Sequence, residues 1–257
     1  MREETSESLV AERDPDRWTV LRMLQGEGRA RLLSLYALNL CLAQAAWASD
    51  QPMVAEMRLQ WWIDALEELG AGGLPRAHPV LEDCAWLRGD AAFCAELVAM
   101  AETRRWDIWA ETLVDAEALW THLEGGIGRL MLVSVRALGI APAALEPLRG
   151  YAAGAALAKW FEAVPMLTLR ERPALPDPRP EAIAQLAREG LSRIAASRRQ
   201  RRGVPKAALP ALLAGWEADA LLKQAARDPA AVVEGRLVLS EAHRRWLLAW
   251  RALSGRW

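Results

Sequence analysis

The chain has 257 residues, 53% hydrophobic and 25% charged, which excludes a disordered or low-complexity protein and leaves ample apolar material for a buried core. With 32 Lys and Arg against 33 Asp and Glu, the formal charge of −1 removes the overall electrostatic pull of a general nucleic-acid binder, so no nucleic-acid partner is expected. Three cysteines, Cys41, Cys84 and Cys94, suit neither a disulfide framework nor a zinc site, and the aromatic complement is lopsided, with 13 Trp against two Tyr and two Phe.

In chain order, residues 1–18 are charged and polar with no apolar core, so no secretory signal is expected and a reducing, cytoplasmic location is. Ala, Leu, Arg and Glu dominate and alternating β-branched runs are scarce, which predicts an all-α protein. Asp14-Pro15-Asp16 opens a helix expected to reach about Gln25, with Gly26 and Gly28 as the interruption. Leu32 to Ser49 then runs 18 residues without a charge, at the lower edge of the length that spans a bilayer. Its polar residues Ser34, Asn39, Gln44 and Ser49 are spread around the helix, which favours a centrally buried helix of a soluble bundle. The next helix, about 53–69, is expected to present Val54, Met57, Trp61 and Ala65 on one face.

Helices are further predicted from Pro79 to Leu87, Asp90 to Trp109, Asp115 to Leu123, Ile127 to Leu138 and Pro147 to Leu169. Pro173, Pro176, Pro178 and Pro180 mark a proline-rich internal loop at about 171–180, and helices resume near 181–202, 206–226 and 239–253. No linker is long enough to separate independent cores, so residues 1–257 read as one domain.

Chemistry-bearing motifs are thin. Gly125-Gly126-Ile127-Gly128 lacks the strand and the downstream Lys of a phosphate loop, so it reads as a bend or a close packing point. His78, His122 and His243 have no metal-ligand spacing, and no serine or cysteine nucleophile motif is present. Asp107, Glu111 and Asp115 recur at i+4, as Mg²⁺-binding carboxylates would on one helix face, although a solvated acidic stripe has the same pattern. The strongest local charge is the run Arg193, Arg198, Arg199, Arg201 and Arg202, which reads as a solvated helix end in preference to a contact with anionic lipid or nucleic acid.

The blocks Arg13-Asp14-Pro15-Asp16-Arg17, Arg29-Ala30-Arg31-Leu32 through Asn39, and Met57 through Leu66 with Arg58-Leu59-Gln60-Trp61-Trp62-Ile63-Asp64 resemble the squalene/phytoene synthase family. So do His78-Pro79-Val80, Arg104-Arg105-Trp106-Asp107, His122-Leu123-Glu124, Tyr151 to Leu157 and Leu175-Pro176, in family order over about residues 10–195. The resemblance implies the single-domain, all-α isoprenoid synthase bundle around a central apolar cavity. It also implies enzymes that join two prenyl diphosphates, with two carboxylate clusters holding Mg²⁺.

At those cluster positions this sequence departs. Where the first motif is expected, near 43–48, stand Ala43, Gln44 and Trp47 with no acid; where the second is expected, near 158–169, stand Ala158, Trp160, Phe161 and a single Glu162 beside Lys159. Trp47 and Trp160 place indole volume where a metal-diphosphate site would be. The remaining pattern resembles the family's non-catalytic branch, which includes the mitochondrial complex I assembly factor.

The resemblance therefore implies a pseudoenzyme without cofactor, binding an isoprenoid or other apolar ligand, or a protein partner in a membrane complex, with a role such as respiratory complex assembly at the inner face of the membrane. Tyr36, Asn39, Arg58, Trp61, Asp64 and Asp107 are candidate cavity residues. The alternative is an active prenyl transferase that uses Mg²⁺ through relocated carboxylates, among them Asp64, Asp107 and Glu162.

Overall fold

A computed structural model describes residues 5–257, so the first four residues of the polar N-terminal segment lie outside the described residues. No strand occurs among the described residues, in agreement with the helix-forming composition. The helices are α1 (Ser6–Arg13), α2 (Pro15–Leu21), α3 (Gly26–Ala46), α4 (Pro52–Gly70), α5 (Pro79–Asp83), α6 (Ala91–Glu102), α7 (Arg105–Trp109) and α8 (Ala116–Leu123). They continue as α9 (Arg129–Ala137), α10 (Arg149–Leu169), α11 (Pro180–Arg199), α12 (Leu209–Leu212), α13 (Ala218–Arg227), α14 (Ala230–Val233) and α15 (Glu241–Ser254). The chain forms two compact units, residues 1–109 with 133–139, and residues 110–132 with 140–257.

The first unit is organised around α3. Every residue from Leu32 to Asn39 is buried, as are Cys41 and Leu42, so the helix is enclosed on all sides. Two of its polar residues have protein partners: Ser34 Oγ donates to the Arg31 carbonyl (2.9 Å) and accepts from Trp86 Nε1 (3.1 Å), and Asn39 accepts from Arg104 (3.0 Å). No helix among the described residues is long and apolar enough to cross a membrane. The expected break at Gly26 and Gly28 is instead the first turn of α3, with Gly26 at φ +69°, a conformation that glycine adopts without steric cost.

On α4 the expected apolar face holds at Ala65, which is buried, but not at Met57 or Trp61. Met57 is 69% exposed and Trp61 38%, whereas Ala55, Leu59, Trp62, Ile63, Leu66 and Leu69 are buried. The helix carries apolar residues on more than one face, and the aliphatic ones at 59, 63 and 66 dock on α3 and α6, leaving Met57 outside. The helix expected over 90–109 divides in two at Thr103–Arg104, and the polar segment before Asp14 folds as α1, capped by Thr5.

In the second unit α10 packs against α11 through small residues. A Cβ on Gly154 would lie 2.5 Å from Ile194 Cγ1 and 2.9 Å from the Gly190 carbonyl, distances that no real Cβ tolerates. The glycine cluster 124–128 is one turn of π-helix, with Gly128 close to the Ala152 carbonyl, so a bend at a packing point is what it provides. Pro205 and Pro210 break the helix expected over 206–226 into short turns before α13. The basic run is not one patch: Arg193 lies over Trp120 (3.9 Å) and pairs with Glu124 (2.7 Å), Arg198 pairs with Asp219 (2.8 Å), and Arg199, Arg201 and Arg202 are exposed.

Replacing Gly154 with Val forces α10 from α11, and overpacking of this kind costs about 1–3 kcal/mol. Urea unfolding should show a lowered midpoint at unchanged slope; an unchanged midpoint would mean that the helices separate without cost.

Candidate functional site

Ala43, Gln44 and Trp47 close the C-terminal end of α3 in the first unit. Gln44 and Ala45 there, with Arg58, Trp61 and Trp62 of α4 and His78, line an open pocket of about 270 Å³. Trp62 meets the His78 ring edge-on at 4.7 Å and the Trp61 ring edge-on at 5.2 Å. The His78 Nδ1 accepts from the Val80 amide (3.2 Å) to cap α5, which leaves Nε2 as the protonated nitrogen of the neutral ring. Desolvation holds the His78 pKa below its ordinary value, against a smaller upward pull from Glu82. The Gln44 Nε2 group is buried with no hydrogen-bond partner among the described residues. Trp47, half-buried, donates its backbone N–H to the Gln44 carbonyl (3.1 Å) and ends the helix. The pocket offers amide, guanidinium and imidazole donors and aromatic edges, and no carboxylate lines it.

Of the six residues expected to share one cavity, Arg58 and Trp61 line this pocket. Tyr36 is fully buried beneath the Arg17 guanidinium (5.2 Å), and burial pushes its phenol up to about 12 against the pull of that charge. Asn39 and Asp107 meet on Arg104, which donates to Asn39 Oδ1 (3.0 Å) and Asp107 Oδ2 (3.3 Å). Asp64 accepts from Gln60 (2.7 Å), whose side-chain carbonyl takes an Arg105 N–H (2.9 Å). The expected acidic row does not form, because α7 ends at Trp109, Ala110 turns through φ +52° and Asp115 caps α8, accepting from the Ala118 amide.

The second-motif segment lies on α10 in the second unit. Ala158 and Phe161 are core residues, and Trp160 is buried, donating Nε1–H to the Ala174 carbonyl (2.7 Å) with its ring 5.0 Å from His122. Lys159 Nζ lies 2.9 Å from Glu162 and 3.3 Å from the buried Glu217, which also accepts from Arg244 (2.6 Å). Sequence reading missed His78 as a pocket wall and missed Glu217 altogether. The His78-Pro79 capping pattern was a usable signal for the first, whereas partners 58 and 27 residues away left none for the second.

Mg²⁺ bound with a diphosphate takes one or two protein carboxylates whose charge is free to meet it. Among the described residues no three His, Cys, Asp or Glu side chains are grouped to hold a metal, and the one acid of the second segment faces an ammonium group. The residues at these two segments therefore do not fit a Mg²⁺-diphosphate cluster.

Two outcomes follow from this geometry. Lys159→Met removes one of the two cations on Glu217 and should cost about 1–3 kcal/mol in chemical denaturation; an unchanged midpoint would count against the pairing. The depressed His78 pKa means that neutral His78 stabilises the fold fully above its ordinary value of 6.5 and progressively less as pH falls below it. The unfolding free-energy difference between the native chain and His78→Asn, which keeps a capping side chain, should therefore shrink between pH 7.5 and pH 5; a constant difference counts against the assignment.

Comparison with known proteins adds the evolutionary frame. No curated protein matches the chain. A crystal structure of a dehydrosqualene synthase in complex with ligand superposes with a TM-score of 0.78 at 13% identity, covering 97% of this chain and 94% of that one. That likeness establishes the all-helical isoprenoid synthase fold. The squalene/phytoene synthase family model matches residues 10–160, more than half of the chain, and the chain belongs to that family.

Proposed function

We propose that this chain is a non-catalytic member of its family, which binds an isoprenoid or similar apolar chain without Mg²⁺ and serves the assembly of a membrane-associated complex. The observation that carries the reading is Lys159: a cation, paired with Glu162 and Glu217, stands on the α10 segment where the family's Mg²⁺-holding acids are expected. Departure of diphosphate requires charge neutralisation by metal worth several kcal/mol, and a fixed ammonium already engaged by two carboxylates is no substitute. The first segment supports the same reading, since Ala43, Gln44 and Trp47 offer no acid and Gln44 and Ala45 border an aromatic-edged pocket. The complex I assembly branch, whose motif pattern the sequence resembles, is the model for such a role, with a protein partner at the membrane.

The test is direct. The purified chain, incubated with farnesyl or geranylgeranyl diphosphate and Mg²⁺, should release no diphosphate and form no condensed product. It should bind the prenyl chain with an affinity that EDTA leaves unchanged. Turnover would establish the prenyl transferase alternative instead.

A further inference from the structure

Helix α15 is built inside out. Its cations Arg244 and Arg251 share the inward face with Leu248, Arg244 Nε to Glu217 Oε1 (2.6 Å) and the 8%-exposed Arg251 to Asp219, while three of its bulky apolar residues face out. Trp246, Trp250 and Leu253, at i, i+4 and i+7, are 62%, 50% and 88% exposed. The two indoles stack with centroids 6.2 Å apart and planes 4° from parallel. A helix whose only task was to cover the core would turn these side chains the other way, because apolar burial drives helix orientation.

The same side chains form one wall of a groove of about 970 Å³. Four of its other residues, Arg201, Arg202, Lys206 and Arg256, are exposed cations, and no Asp or Glu lines it. The remaining two cations at the groove, Arg198 and Arg251, share the single carboxylate of Asp219. The surface thus combines outward indoles and a leucine with unneutralised positive charge, on a protein whose formal net charge is only −1. Tryptophan favours the boundary between headgroups and acyl chains, and basic residues favour anionic headgroups. A protein partner would need an acidic rim around an apolar centre; a bilayer supplies both layers at once over any area.

We infer that the face formed by Trp246, Trp250 and Leu253 with Arg201, Arg202, Lys206 and Arg256 docks the protein reversibly on an anionic phospholipid surface, α15 lying in the interfacial plane. This docking is independent of whether the chain is catalytic, since none of these residues belongs to the pocket or to the α10 segment.

The experiment is co-sedimentation of the full chain with vesicles of phosphatidylcholine alone or with about 30% phosphatidylserine, at low and high salt. Binding should be about tenfold or more stronger on the anionic vesicles and should fall as salt rises. Trp246→Ala/Trp250→Ala and Arg201→Glu/Arg202→Glu should each reduce it about tenfold or more, with thermal unfolding unchanged because all four side chains are exposed. Absence of vesicle binding, binding indifferent to phosphatidylserine, or binding retained by the folded variants would overturn the inference. So would a concentration-dependent dimer, seen by analytical ultracentrifugation and abolished by Trp246→Ala/Trp250→Ala, in a protein that ignores vesicles.

Discussion

Two carboxylates, Glu217 and Asp219, hold the second unit together electrostatically. They open α13, where the helix dipole favours negative charge, and they gather four cations from three other helices: Lys159 of α10, Arg198 of α11, and Arg244 and Arg251 of α15. Burial alone would raise the Asp219 pKa, but the hydrogen bond and charge of Arg198, joined by Arg251, hold it below its ordinary value. A buried carboxylate is tolerable only when it is paired in this way, so each cation is constrained by the cost of leaving Glu217 or Asp219 alone.

That constraint fixes two features far apart in sequence. On α10 it draws Lys159 toward Glu217 and brings positive charge to the segment on which the family's acids are expected. On α15 it turns Arg244 and Arg251 inward, and a helix with those residues inward has Trp246, Trp250 and Leu253 outward by geometry alone. The ion pairs and the exposed indoles are two sides of one orientation.

The regions of the fold legible in the sequence are those in which local chemistry and tertiary burial agree. The uncharged run from Leu32 to Ser49 reads as an enclosed helix and is one as far as Ala46, Ser34 and Asn39 finding partners on neighbouring elements, whereas Trp47 to Ser49 lie beyond its end. Asp14-Pro15 and His78-Pro79 read as helix starts and are, each with its Asp or His side chain accepting from a first-turn amide. Legibility failed where apolar residues occupy more than one face. On α4 the spacing of Met57 and Trp61 looks as good as that of Leu59 and Leu66, and only the neighbours decide which set is buried. It failed again at Asp107, Glu111 and Asp115, where i+4 spacing is meaningful only if one helix spans all three; Ala110, in a left-handed conformation, ends that continuity. Of the candidate site, the residue types at 43–48 and 158–169 could be read directly, whereas the pairings around Lys159 join residues up to 58 positions apart.

The pairings also bear on how far the α10 segment stands from a metal site. A dication is held by carboxylate oxygens whose charge is not already neutralised. Here Glu162 and Glu217 both lie within ion-pair distance of Lys159, so adding one further acid to the segment would meet the ammonium before it met a metal. Removing Lys159 alone would leave a buried Glu217 with half its neutralisation, a change that destabilises the fold in the same step. Building a Mg²⁺ site on α10 would thus require at least a new acid, a change at Lys159 and a compensating change at Glu217.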